Sequence, residues 1–287
     1  MPSISRRELL GGAVVSSAFS AARAFATDKE TATGLSFPLI DYHVHLNAKF
    51  SLDDAIAVSQ QRGVKFGIAE HAGTKENVYP SIVSSDIELE QWIARLEGKP
   101  VFKGVQAEWI DWAKCFSKDV FARLDYVLSD AMTIPGRSGE RLKMWQAGFD
   151  AGDAQEFMER YVKWSVEVIE REPLDIFSHP TWLPAPLDKS YDTLWTYERM
   201  KPIVEALKHT GTAAEIDSDY NIPSVAFLQL AKEAKLKFSF GSNSGSGPVR
   251  TLDFCVERAR TLRLTASDMF VPAPRGRKPI QRRRIAA

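Results

Sequence analysis

Five histidines occur in the chain, and four of them stand where they could do chemistry. His43 and His45 lie two residues apart in Asp41-Tyr-His43-Val-His45. On a strand that spacing sends both imidazoles to one face, where they can grip one ion, whereas a helix would need spacings of three or four. His71, Glu108, Asp130 and His179 close four further apolar runs. Imidazoles and carboxylates gathered at one point form a ligand set for divalent Zn, Mn or Fe, and residue types alone do not choose among these. One or two such ions would activate a hydroxide as nucleophile and neutralise charge on the scissile group, which is hydrolytic chemistry. The candidate ligands are His43, His45, His71, Glu108, His179 and Asn243, and Asp130 and Glu108 are the candidate catalytic carboxylates. Asp41, one pleat before His43 and expected on the same face, would orient the ligands together with Glu70 and Glu215. His209, in Leu207-Lys-His-Thr-Gly211, reads instead as a cation near the end of a helix.

These groups meet only if the elements carrying them converge. From residue 36 onward, short β-branched runs alternate with amphipathic stretches, the pattern of parallel α/β folds. Strands are expected over residues 38–46, 65–71, 101–109, 125–132, 175–180, 212–218 and 237–244. Helices are expected over 52–62, 87–97, 118–124, 154–171, 193–209, 224–234 and 250–263. Seven strand-helix units make a (β/α)7, TIM-like barrel, whose active site would lie at the C-terminal strand ends. His43, His45, His71, Glu108, Asp130 and His179 all fall at such ends, Glu215 and Asp217 sit on the sixth strand, and Asn243 ends the seventh. The aromatic stripe Phe157, Tyr161 and Trp164 reads as core packing.

The 287 residues are 44% apolar and 26% charged, enough for one large buried core. The formal net charge is zero, but both ends are basic and the body between them is acidic. At the front, Ser5-Arg6-Arg7-Glu8-Leu9-Leu10, a mild Gly/Ala/Ser-rich apolar run and Ala24-Phe25-Ala26 read as a twin-arginine-like export signal over residues 1–26. Export machinery is then a partner, the mature protein is periplasmic or extracellular, and no membrane anchor remains after processing. The body spans 27–271. From Pro272, six Arg and Lys residues are interspersed with prolines and Gly276 and lack aromatic neighbours. That composition predicts a solvated, disordered tail over 272–287 and no nucleic-acid surface. Cys115 and Cys255 lack metal-knuckle or redox spacing, and Cys255 reads as a buried thiol.

The motifs together resemble the PHP family of polymerase- and histidinol-phosphatase-like phosphoesterases across nearly the whole body. Asp41-x-His43-x-His45 resembles the opening motif and Glu70-His71 the second. Gly104-Val-Gln-Ala-Glu108 resembles the third, Ser178-His179-Pro180 a later His-Pro motif, Glu215-Ile-Asp217 the Glu-Ile-Asn segment and Ser242-Asn243 the closing one. The resemblance implies a distorted (β/α)7 TIM-like barrel of PHP type, bound metal and a small phosphorylated substrate. The chain departs from the family where Met132 replaces a histidine, with Asp130 two residues earlier as the substitute bridge or base. It departs again at Asn243, where the family has aspartate, and at Gly245, where it has histidine, implying one or two ions rather than three. Positive or hydroxyl groups on the site-side loops, Lys75, Arg137, Ser242 and Arg250, are the candidate phosphate contacts, with the Gly/Ser turn after Gly241 as a possible cradle. Two other readings stay open: an amidohydrolase-like C–N or ester hydrolase, and a catalytically impaired barrel that only binds.

Overall fold

The structure, a computed structural model, describes residues 34–244 and 249–283. The expected export signal lies outside them, as does the middle of the Gly/Ser turn, including Gly245. Seven parallel strands close into a barrel: β1 (Ile40–Val44), β2 (Lys65–Ala72), β3 (Phe102–Ala107), β4 (Tyr126–Ser129), β7 (Ile176–Phe177), β8 (Ala213–Asp217) and β9 (Phe238–Gly241). Around it run α1 (Leu52–Arg62), α2 (Asp86–Leu96), α3 (Lys118–Phe121), α4 (Ala154–Arg171), α5 (Tyr191–Leu194), α6 (Tyr197–Thr210), α7 (Val225–Glu233) and α8 (Asp253–Thr261). The chain is therefore a TIM-like α/β barrel. No helix of the described residues is long and apolar enough to cross a membrane.

Local chemistry sets several boundaries. Ser51 caps α1 in a reciprocal box with Asp54, and Gly63 ends it in the left-handed region at φ 65°. Asp153 starts α4 by accepting from Gln155 N and Glu156 N. That helix then buries Phe157, Met158, Tyr161, Trp164, Val168 and Ile169 on one side, each contributing about 1.5–3 kcal/mol. The aromatic stripe is core, as its period predicts.

Two departures from the sequence reading matter. Between β4 and α4 an antiparallel hairpin, β5 (Thr133–Pro135) and β6 (Arg141–Lys143), turns through Gly136 and Gly139. Trp164 Nε1 donates to Thr133 O at 2.8 Å and pins the hairpin to α4. The second departure corrects the tail. Residues 272–283 lie along the barrel and include α9 (Pro279–Arg282). Ile280 and Lys278 are buried, and Arg283 donates to the carbonyls of Ile169, Glu170 and Glu172 at the end of α4. Within the basic run, Arg283 serves as a donor to orphaned helix-end carbonyls, a role composition alone does not disclose.

The lower end of the barrel is filled by rings. Tyr42, Phe102, Tyr126 and Phe270 meet with centroids 5.2–5.5 Å apart around Tyr42. Tyr126 needs two glycines opposite it: a Cβ on Gly104 would come within 2.2 Å of its ring and one on Gly67 within 2.6 Å of its hydroxyl. This apolar half leaves the upper half of the barrel for polar side chains.

Candidate metal centre

The opening strand is not regular. Asp41 pairs with Phe66 and Val44 with Ile68, so one extra residue is accommodated between them, a β-bulge at Tyr42-His43. Paired residues share a face. Asp41, opposite Phe66 and Phe240, therefore lies on the helix side of the barrel, while Tyr42, His43 and His45 face inward. The expectation that Asp41 shares a face with His43 is thus corrected. Its carboxylate instead accepts from His43 N and Ser242 N, both at 3.1 Å, tying β1 to the turn after β9. Burial pushes this carboxyl up to about 6.

Four imidazoles form one chain across the barrel mouth. His179 and His43 are 5.0 Å apart, His43 and His45 5.1 Å, and His45 and His71 4.7 Å. At one end, His43, His179, Glu215 and Asp217 are all buried, and a donor atom from each lies within 4.8 Å of the others. His43 Nδ1 is 2.8 Å from Glu215 Oε1, and its Nε2 is 3.0 Å from Gln106 Oε1. Gln106 Nε2 donates onward to Asp130 Oδ2 at 3.1 Å. Gly241 makes room, because a Cβ there would stand 2.1 Å from Glu215 Oε1.

His179 is held at φ 49°, in the left-handed region, with its amide donating to Glu215 Oε2 at 3.1 Å. Neither of its ring nitrogens has a hydrogen-bond partner, and neither does Asp217 Oδ2, 3.5 Å from its Nε2. Glu215 and Asp217 are buried carboxylates, and the cations that face them are the imidazoles of His43 and His179, whose protons a divalent ion would replace. Burial pushes the His43 imidazole down, but the charge and hydrogen bond of Glu215 outweigh it and the net shift is up. His179 is likewise depressed by burial and raised further by Asp130 and Asp217. Two imidazoles and two carboxylates buried together, with both His179 ring nitrogens and Asp217 Oδ2 outside hydrogen bonds, fit a divalent ion bound by N and O ligands.

His45 differs. Its Nδ1 donates to Ala69 O at 3.0 Å, which fixes the tautomer and leaves Nε2 with its lone pair. Burial, with the neighbouring His71 and His43, holds it well below the usual range and hence neutral. His71 Nδ1 lies 2.7 Å from Glu108 Oε1, and Tyr79 donates to Glu108 Oε2 at 2.8 Å. Tyr79 stacks on His71 at 3.9 Å. Both Glu108 oxygens are thus engaged, and the structure does not place it in the four-residue donor group. Desolvation pushes its carboxyl up, against the lowering effect of His71.

A pocket of about 690 Å³ opens above these groups, lined by His45, His71, Tyr79, Gln106, Asp130 and His179 among others. Asp130 is there, with Oδ1 accepting from Met132 N at 2.7 Å and Oδ2 3.7 Å from His179 Nδ1. It caps its own loop, accepts from Gln106 and faces His179 as a charge, which differs from the bridging role expected of it. Met132 forms buried wall. Asn243 reaches the pocket, but its amide donates to Asp219 Oδ2 at 3.1 Å. Glu70 lines the rim and accepts from Ser81 Oγ at 3.0 Å.

The expected phosphate contacts are not brought to the pocket. Lys75 is exposed and pairs with Glu88 at 3.2 Å. Arg137 sits exposed on the hairpin turn. Arg250 pairs with Asp219, and the Ser242 hydroxyl is taken up by Ser244 at 2.6 Å. Lys143 is nearer, its Nζ 4.0 Å over the Tyr79 ring. Glu215 is corrected from an orienting group to a member of the donor group, and Asp217 joins it. The signal for Asp217 was the same two-residue spacing that singled out His43 and His45. Cys255 is a buried free thiol, as its helix setting predicts.

The fold and site together define a closed parallel barrel with a buried His/carboxylate centre at its C-terminal end. No protein-family model matches the sequence, and no curated protein matches it. Among solved structures, the chain is similar to an HpcH/HpaI aldolase from Desulfitobacterium hafniense DCB-2, at 11% identity and a TM-score of 0.36, covering 83% of this chain and 96% of that one. At that score and identity the likeness carries no argument for the chemistry here.

Proposed function

We propose that the protein is a metal-dependent hydrolase on a PHP-type barrel, acting on phosphoesters. The observation that carries this is His179 and Asp217: buried, grouped with His43 and Glu215 so that one ligand atom of each lies within 4.8 Å of the others, and without hydrogen bonds at both His179 nitrogens and at Asp217 Oδ2. His43, His179, Glu215 and Asp217 would hold one divalent ion, with the His45 Nε2 beside them. Such an ion supplies a Lewis acid and makes a water-derived nucleophile available near neutral pH. Gln106 fixes the His43 ring, and Asp130 faces the His179 ring as a charge 3.7 Å away. His71 lines the pocket with Glu108 behind it, a pairing that sets the tautomer and lets the imidazole pass a proton to a leaving oxygen. A barrel of seven strands and a histidine ending β2 support the PHP-type reading over an amidohydrolase. The paired arginines at Arg6-Arg7 support export of the folded chain, testable as a processed N-terminus outside the cytoplasm.

Elemental analysis of the purified protein, paired with a screen of phosphomonoesters, phosphodiesters and carboxylic esters, tests the reading. About one equivalent of metal and turnover abolished by chelator are expected. Metal-free protein without turnover of any phosphoester would overturn it.

A further inference from the structure

A second cavity of about 880 Å³ adjoins the first, and the side chains of Trp145 and Tyr220 border both. These two rings are 38% and 39% exposed, a large aromatic surface left open at the place where the cavities join. Each belongs to a line of rings that starts at a histidine of the first pocket. On one side His71 stacks on Tyr79, whose ring is 6.3 Å from Trp145. On the other, His179 is 5.3 Å from Tyr220, which lies 5.9 Å from Trp182. Beyond that gateway the second cavity is walled by Phe149, Trp182, Tyr191 and Ile222.

The charge there argues against a second anionic group. Asp188 and Asp192 border the cavity, and its lining cation, Arg258, is paired with Glu257 at 2.9 Å and lies 4.4 Å over the Phe254 ring. A flat uncharged ring would bury apolar surface and stack on Trp145 and Tyr220 without desolvating a charge.

We infer that the substrate is a phosphoester whose alcohol portion carries a flat aromatic ring, seated between Trp145 and Tyr220 and extending into the second cavity. This rests on the phosphoesterase reading and specifies its substrate. Hydrolysis breaks the bond from phosphorus to the alcohol oxygen. Water supplies the new oxygen on phosphate and the proton on the released alcohol, so no oxidant or reductant is needed.

The test has two arms. Calorimetry of 2-naphthol against the wild-type protein, Trp145→Ala and Trp145→Phe reads the aromatic seat without any reaction. Binding that weakens at least about tenfold in Trp145→Ala and is largely retained in Trp145→Phe is expected. The second arm compares kcat/KM for 2-naphthyl phosphate and methyl phosphate. A preference for the naphthyl ester that falls at least about tenfold in Trp145→Ala supports the inference. No naphthol binding, or equal binding by all three proteins, overturns it even if phosphate esters are hydrolysed. Naphthol binding that behaves as expected, with no turnover of either ester, upholds the aromatic seat and overturns the phosphoester assignment.

Discussion

His179 stands in the left-handed region at φ 49° while its amide donates to Glu215 Oε2 at 3.1 Å, so one carboxylate fixes both the backbone and the surroundings of that imidazole. A left-handed conformation costs a non-glycine residue about 1–2 kcal/mol. Strain of this kind persists where the surrounding structure demands it, and here it aims the ring into the donor group.

His179→Gly bears on both stability and binding. Glycine relieves the strain but leaves a cavity and removes the imidazole that faces Asp217 and Glu215, so the metal-free variant should melt lower than wild type in a thermal scan. Its metal affinity should fall by at least about tenfold, with loss of turnover. Undiminished affinity would remove His179 from the centre.

Asp217→Asn keeps the acceptor for Tyr220 N, now 2.7 Å from Asp217 Oδ1, while deleting one negative charge from the donor group. Bound metal, measured by competition with a chromophoric chelator, should weaken at least about tenfold. Asn243→Ala, by contrast, should leave affinity within about threefold of wild type, because its amide nitrogen is held by Asp219 and its neutral oxygen is a weaker ligand than a carboxylate.

Glu108→Gln addresses whether this carboxylate acts on the ion or through His71. Metal content should stay at the wild-type level, while kcat falls about a hundredfold with KM little changed. A variant purified without metal would make Glu108 a ligand after all.

At the opposite end of the barrel, Asp175 accepts from Val127 N at 2.9 Å, with Lys278 as its neighbouring cation. Burial raises its carboxyl from 3.8 to about 7. The folded chain therefore keeps a proton that the unfolded chain has released, and that contribution to stability is full below about pH 4 and lost as pH rises to about 7. Relative to wild type, Asp175→Asn should gain stability steadily between pH 4 and pH 8. Denaturation curves whose difference does not change with pH would refute the assignment.

Ile280→Ala tests the seating of the C-terminal segment. Truncating this buried side chain should cost about 2 kcal/mol without changing metal content. An unchanged melting temperature would mean that the segment leaves the barrel in solution.

Most of the barrel was legible because strand and helix periods differ, and four histidines at strand ends pointed to one mouth. What the alternation could not disclose is the bulge at Tyr42-His43, since a single extra residue reverses the side assigned to Asp41 without altering the pattern of residue types. Asp217 followed from its spacing to Glu215 but was hidden by reading that strand for its motif. The basic segment after Pro272 misled because solvated charges and charges that cap helix-end carbonyls share one composition. The role of Gly67, Gly104 and Gly241 depends on what stands opposite them, Tyr126 and Glu215, which only the closed barrel reveals.

The ring cluster of Tyr42, Phe102, Tyr126 and Phe270 makes the barrel a cup rather than a tunnel. The pocket above is then closed from below, and in the proposed reaction the released phosphate would leave by the mouth through which the substrate entered. Inhibition by released product that competes with substrate is the kinetic form such one-way architecture takes.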